Sequence, residues 1–230
     1  MTQRIPGLFI TGTDTGVGKT YVTAMIAREL AADGCKVGVY KPAASGCCRV
    51  NGVLVSDDAV ALWNAAGRPG DLDRVCPQCF EAPLAPHLAA LAEGRRLDAV
   101  ELRQGLEYWR ERSEIILVEG AGGLMSPLGE DEYVADLAEE FGFPLVVVAR
   151  NVLGTINQTL QTLITASVFR EGLPIAGVVL NHTTIPSADD ASLSQNRGEL
   201  AARCVPPLLA EVAWTANRMD VRVDWLSLAR

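Results

Sequence analysis

The decapeptide Thr11-Gly-Thr-Asp-Thr-Gly-Val-Gly-Lys-Thr20 constrains this chain more than any other stretch. An apolar run, Leu8 to Ile10, precedes it and a helical pattern follows it. Strand, glycine-rich loop and helix are the parts of a phosphate-binding loop. The backbone N–H groups of such a loop line a concavity that suits an anion, and the helix adds its positive dipole end. Lys19 is placed to reach the β- and γ-phosphates of a nucleotide, and the Thr20 hydroxyl to ligate Mg²⁺. One departure is visible: the usual first glycine position holds Thr13, and Gly12 stands six residues before Gly18. A dinucleotide fingerprint fits less well, because Tyr21 stands where its third glycine belongs and the lysine is left unexplained.

Alternation of strands and helices runs through the rest of the chain. Strands are expected at Leu8–Gly12, Lys36–Lys41, Glu114–Glu119, Pro144–Ala149, Ile175–Asn181 and Leu208–Val212. Helices are expected at Lys19–Asp33, around His87–Glu93, and at Asp98–Arg112, Asp131–Phe141, Thr155–Arg170 and Ala188–Arg203. Ala43 to Val55 reads as a loop, and Asp57 or Asp58 as the cap of a short helix ending near Gly67. Gly67 to Pro86 is punctuated by prolines. The pattern is that of an α/β fold, a mostly parallel sheet flanked by helices, with 230 residues forming one phosphate-loop domain. The helix from Thr155 is unusual, since no charged residue occurs from Asn151 through Phe169. Such a helix is buried between elements or between subunits.

Charge and composition exclude several function classes. With 28 acidic and 20 basic residues the net charge is −8, against a nucleic-acid binder that needs basic patches. No secretory apolar region opens the chain, and the longest aliphatic run, Leu145 to Ala149, cannot span a bilayer. The expectation is a cytoplasmic protein without a membrane partner, its six cysteines thiols.

Ligands of an open parallel sheet bind at the carboxyl ends of its strands, so the polar residues there carry the candidate chemistry. They are the phosphate loop, Lys41 and Ser45, Glu119 with Ala121-Gly122-Gly123, and then Asn151, Gly154 and Asn181. Glu119 reads as an acidic Mg²⁺ ligand or as a solvated strand end, and Asp58 as a second carboxylate or as a helix cap. Lys41 reads as a fixed cation for a transferring phosphoryl group, or as a strand-end lysine reaching water. His87 and His182 lack a serine or cysteine partner motif, so acyl transfer is not supported. Cys76-x-x-Cys79 could join Cys47-Cys48 around zinc, but the adjacent pair has the wrong spacing for a zinc knuckle.

Taken together, these segments resemble the dethiobiotin synthetase family. The resemblance rests on Gly12–Thr20, Tyr40-Lys-Pro-Ala-Ala-Ser-Gly46, Ser56–Leu62, Pro83–His87, Val118-Glu-Gly-Ala-Gly-Gly123, Leu153–Asn157, Gly177–Asn181 and Pro207–Glu211. It implies ureido ring closure on 7,8-diaminopelargonic acid with CO₂, ATP and Mg²⁺, by way of a carbamate and a carbamic-phosphoric anhydride. It implies Lys19 and Lys41 as catalytic residues, and Thr20, Asp58 and Glu119 around the metal. The nucleotide would be held by Gly16, Val17, Gly18, Lys19, Thr20 and Tyr21, by Glu119, Gly120, Ala121 and Gly122, and by Asn181 at the adenine edge. Ala213, Trp214 and Thr215 would add main-chain contacts, with Asp220 near the ribose. Ser45 and Thr15 would stand near the substrate. Gly154, Thr155, Ile156 and Asn157 would take its carboxylate at a helix N-terminus, which in this family belongs to the other subunit of a homodimer. Gly16 stands where some relatives have glutamate, and no role is assigned to Cys47-Cys48.

Two other readings are weaker. An amide-forming synthetase of the cobyrinate type carries a glutaminase domain with a catalytic cysteine, for which this chain is too short. A partitioning ATPase usually carries a second lysine early in its phosphate loop; Thr13, Asp14 and Thr15 occupy that region here.

Overall fold

The computed structural model describes residues 5–185 and 190–230. In chain order the elements are β1 (Gly7–Gly12), α1 (Lys19–Ala32), β2 (Val37–Tyr40), β3 (Ala43–Ala44), β4 (Cys48–Val50), β5 (Val53–Val55), α2 (Asp57–Ala65) and α3 (Leu72–Val75). There follow β6 (Gln78–Cys79), α4 (Pro86–Ala92), α5 (Ala99–Arg110), β7 (Ile115–Glu119), α6 (Val134–Phe141), β8 (Leu145–Arg150) and α7 (Thr155–Val168). The last are β9 (Ile175–Asn181), α8 (Ala191–Arg203), β10 (Leu208–Val212) and α9 (Trp225–Leu228).

Six strands form one sheet in the order β10-β9-β8-β1-β7-β2, and every neighbouring pair is parallel. The strands are near-continuous aliphatic runs because helices cover both faces: Leu8 to Ile10, Ile115 to Val118 and Leu145 to Val148 are wholly buried. From β1 the chain winds first toward β7 and β2, then toward β8, β9 and β10. The reversal opens a crevice at the carboxyl end of β1, where the phosphate loop begins.

Several expectations shift. Ala43 to Val55 is not plain loop: β3 pairs with β6, and β4 with β5 form a hairpin across Asn51-Gly52, both residues at positive φ. Asn-Gly is the sequence most suited to such a turn. The cap of α2 is Ser56, whose Oγ accepts from Ala59 N at 3.2 Å, so neither Asp57 nor Asp58 is spent on capping. The helix expected from Asp131 begins only at Val134, since Tyr133 is bridged to Pro127 and donates its N–H to Asp136. The helix expected from Ala188 begins at Ala191; residues 188 and 189 lie outside the described residues.

Tyr40 shows how tightly β2 is held beside the site. It is fully buried, and its hydroxyl donates to Leu102 O at 2.9 Å on α5. Gly105 makes room for it: a Cβ there would sit 2.3 Å from that hydroxyl oxygen. Gly→Ala inside a helix ordinarily stabilises by about 1 kcal/mol. Here overpacking reverses the sign, and Gly105→Ala is expected to destabilise by about 1–3 kcal/mol. Urea unfolding checks it; an unchanged or raised midpoint would mean that Tyr40 moves aside freely.

Candidate active site

The phosphate loop takes its shape from two glycines. A Cβ on Gly12 would lie 2.7 Å from Val17 Cγ2 and 3.0 Å from Asp14 O, so only glycine lets the loop fold back on its strand. Gly18 caps α1 at φ 89°, and a Cβ there would strike Asn181 Nδ2 at 2.1 Å. Thr13, at the place of the usual first glycine, is not among the residues with positive φ, so a side chain is tolerated there. Lys19 is buried and curls over its own loop, its Nζ 3.2 Å from Asp14 O.

Beside the loop lies a buried charge cluster. Register places Ile10 against Glu119 and Tyr40 against Val118, which brings Lys41 level with Glu119 at the carboxyl edge. Lys41 Nζ is 2.6 Å from Glu119 Oε1 and 2.8 Å from Asp58 Oδ2. Thr20 Oγ1 donates to the same Glu119 Oε1 at 2.7 Å. Both strand-end readings that invoked water therefore fall away, since Glu119 is fully buried and Lys41 4% exposed. Burial alone would lower the Lys41 ammonium; Glu119 and Asp58 outweigh it and hold the group above its ordinary range. Lys19 is pushed the other way, below the ordinary lysine value, by burial first, with the Glu119 charge opposing and the Lys41 charge adding to the fall. For Asp58, burial raises the carboxyl and the Lys41 charge more than reverses it, leaving the group below its usual value.

Glu119 Oε2 is buried and has no hydrogen-bond partner among the described residues. An orphaned carboxylate oxygen beside the Thr20 hydroxyl and the Asp58 carboxylate is a hard, all-oxygen donor set, and it fits Mg²⁺. Among the described residues no group of three or more His, Cys, Asp or Glu could hold a metal unaided.

The remaining expected residues divide by position. Asn181 Nδ2 donates to Val17 O at 2.9 Å, while its buried Oδ1 has no hydrogen-bond partner among the described residues. Ala213, Trp214 and Thr215 lie on the loop after β10, and the Tyr21 hydroxyl fastens that loop by donating to Ala216 O. Asp220 is taken up by the protein: it accepts from Glu211 N at 2.7 Å and pairs with Arg197 at 2.7 Å. The Gly120-Ala121-Gly122 turn leads back against the phosphate loop, where a Cβ on Gly123 would lie 3.4 Å from Gly12 O. Thr15 and Gly16 are exposed and Ser45 half-buried. Gly154, at φ 95°, caps α7; Thr155 is buried, Ile156 half-buried and Asn157 exposed.

A cleft of 370 Å³ joins Thr13 and Asp14 to Ser126, Gln158 and Gln161. The sequence reading missed Ser126, whose Oγ accepts from Gly123 N at 2.8 Å and fixes the turn after Glu119. All six cysteines are free; Cys76 and Cys79 Sγ lie 3.7 Å apart, whereas Cys48 is exposed on β4, which does not make a four-thiol zinc site.

Removing one partner of a buried ion pair strands the other charge. Glu119→Gln is therefore expected to destabilise the protein by about 3 kcal/mol, and Lys41→Met added to it to recover part of the loss. Urea denaturation of the two single variants and the double variant checks this; additive losses would mean that the pair is not coupled.

Comparison with known proteins follows the same lines. A family model described as an AAA domain matches residues 6–220. An ATP-dependent dethiobiotin synthetase of Rhodopirellula baltica is 42% identical, over 89% of this chain and 82% of its own length. One from Anaeromyxobacter dehalogenans strain 2CP-C is 44% identical over 90% of both, and one from Bacillus licheniformis 40% identical over 88% and 83%. Among solved structures, the signal recognition particle receptor FtsY of Elizabethkingia anophelis in complex with GDP aligns at TM-score 0.57 and 12% identity, over 99% of this chain and 64% of its own. A putative plasmid partition protein of Borrelia burgdorferi bound to AMPPNP aligns at TM-score 0.56 and 10% identity, over 99% and 95%. These two likenesses carry the fold alone. The sequence relatives carry more, and on them the chain belongs to the ATP-dependent dethiobiotin synthetase family.

Proposed function

We propose that this chain is a dethiobiotin synthetase, closing the ureido ring on 7,8-diaminopelargonic acid with CO₂ and ATP to give dethiobiotin, ADP and phosphate. The observation that carries the reading is the Lys41 cation, buried and fixed by two carboxylates, next to Lys19 and Thr20 at the mouth of the phosphate loop. One substrate amine captures CO₂ as a carbamate, losing a proton. A carbamate is a poor acylating agent, and transfer of the γ-phosphoryl group onto its oxygen, with ADP leaving, creates a mixed anhydride. The second amine then attacks the carbonyl and expels phosphate. Each step gathers or moves negative charge, and the protein's part is positioning and preorganised positive charge.

In this reading Lys19 holds the phosphates and Lys41 the carbamate and the transferring group. Thr20, Asp58 and Glu119 would hold Mg²⁺, whose charge neutralises the phosphate oxygens during transfer. The orphaned Asn181 Oδ1 supports adenine recognition by that side chain, helped by the main chain of Ala213 to Thr215. Gly154 to Asn157, at the N-terminus of a 14-residue helix, supports capture of the substrate carboxylate. A homodimer belongs to the same proposal. The α7 flank is free of charge, and it exposes Ile164 at 61% and Val168 at 69% to solvent in one copy. A biosynthetic enzyme of this kind works in the cytoplasm; no described helix is long and apolar enough to cross a membrane.

Phosphate release from Mg·ATP with bicarbonate, measured with and without the diamine, tests the activity. Release that requires the diamine, with a product heavier by one carbonyl, is expected; release indifferent to it would sink the assignment. In the same assay Lys41→Ala should bind nucleotide nearly as the wild type does and turn over about 10²–10³-fold more slowly. Wild-type turnover in that variant would remove Lys41 from the mechanism. Ile164→Glu is expected to give a monomer in sedimentation equilibrium; a persisting dimer would place the interface elsewhere.

A further inference from the structure

Buried polar atoms of a folded protein almost always find hydrogen-bond partners, and exceptions concentrate where a ligand supplies the missing partner. Eight side-chain atoms among the described residues are buried without one. They belong to Thr11, Thr13, Glu119, Arg150, Thr155, Thr159, Asn181 and Thr183. All lie at the carboxyl ends of β1, β7, β8 and β9 or in the first two turns of α7. Glu119 and Asn181 have ligands in the function proposed above. Arg150 has none, and it is the one cation of the set.

Arg150 ends β8, directly beside β1, and it is in register with Asn181 on β9. Residues in register on parallel strands point to the same side of a sheet, and alternate residues to opposite sides. Asn181 turns toward the phosphate loop, where it bonds to Val17 O. The next residue, Asn151, turns the other way, toward Asn196 and Leu193 O on α8. The Arg150 side chain thus lies on the face of the sheet that carries the phosphate loop. Its buried Nε has no hydrogen-bond partner, and no ion pair engages its guanidinium among the described residues. A guanidinium part-buried without a counter-charge is unfavourable, and its planar fork of donors matches phosphate or carboxylate oxygens.

From this we infer that Arg150 is a ligand-binding residue of the active site, donating through its guanidinium to an anionic oxygen of a bound reactant. Two reactants bring such oxygens, the nucleotide through its phosphates and the diamine through its carboxylate. The inference rests on the function proposed above for the second and on the phosphate loop alone for the first.

Arg150→Gln tests it by calorimetry. Binding of a non-hydrolysable ATP analogue with Mg²⁺ is measured first, then binding of the diamine to the analogue-loaded protein. Loss of a charge-assisted bond is expected to weaken one of the two by about tenfold or more. A weaker first isotherm assigns Arg150 to the phosphates and a weaker second one to the carboxylate. Arg150→Lys, which keeps charge but loses the fork, should fall between Gln and wild type in that same isotherm. A purely structural role would show instead as a lower unfolding midpoint without ligand. Removing a charge that has no partner should leave that midpoint unchanged or raise it. Unchanged isotherms, or a variant that is destabilised or fails to fold, would overturn the inference. Diamine-dependent phosphate release by the wild type is scored separately, so failure of the ring-closing reading leaves the nucleotide arm intact.

Discussion

The buried contact of Lys41 with Glu119 is the interaction on which the site depends. Taking two charges out of water is costly, and a buried pair seldom stabilises a fold more than well-packed apolar groups would. Its value lies elsewhere. A lysine held by two carboxylates at 2.6 and 2.8 Å cannot wander, so its charge is fixed in advance of any ligand. Much of the surrounding structure serves that placement. β7 lies between β1 and β2, so Glu119 faces the phosphate loop on one side and Lys41 on the other. Tyr40 is anchored to α5 through Leu102, and Lys41 N donates to Val75 O at 2.7 Å, which fixes the backbone from which the ammonium projects.

The same edge explains why so many polar atoms are left over. Strands buried on both faces have no water to satisfy a side chain, so polar residues survive only where the strands run out. There the helix N-terminus of α1, the Gly120–Gly123 turn and the capped start of α7 converge. Asn181 shows the division of labour within one side chain. Its amide nitrogen braces the loop through Val17 O, and its oxygen is buried without a partner among the described residues.

Local rules exposed most of the scaffold in the sequence, and their failures are equally physical. Aliphatic runs flanked by glycine and proline marked the strands because burial on both faces leaves that signature. The Asn51-Gly52 hairpin was just as legible, and was hidden only by the small and polar residues around it. The cap of α2 was not legible: Ser56, Asp57 and Asp58 all satisfy the local preference, and it is Ser56 that caps while Asp58 pairs with Lys41. Arg150 was invisible for a similar reason. Unlike Lys41 and Glu119, it stands in none of the recognised motifs, and only its register with Asn181 shows which way it points.

Likeness of backbone decides less than these contacts do. FtsY and a plasmid partition protein share the fold at 12% and 10% identity, as expected for a scaffold that serves many chemistries. What this chain sets on that backbone is a buried charge cluster beside its phosphate loop. The ring closure proposed above would need an acceptor carbamate held in line with the γ-phosphate and shielded from the repulsion between two anions. In this chain the extra positive charge comes from the end of β2, as Lys41, rather than from the loop itself, where Thr13 to Thr15 stand. It is buried and held by Asp58 and Glu119 beside the phosphate loop.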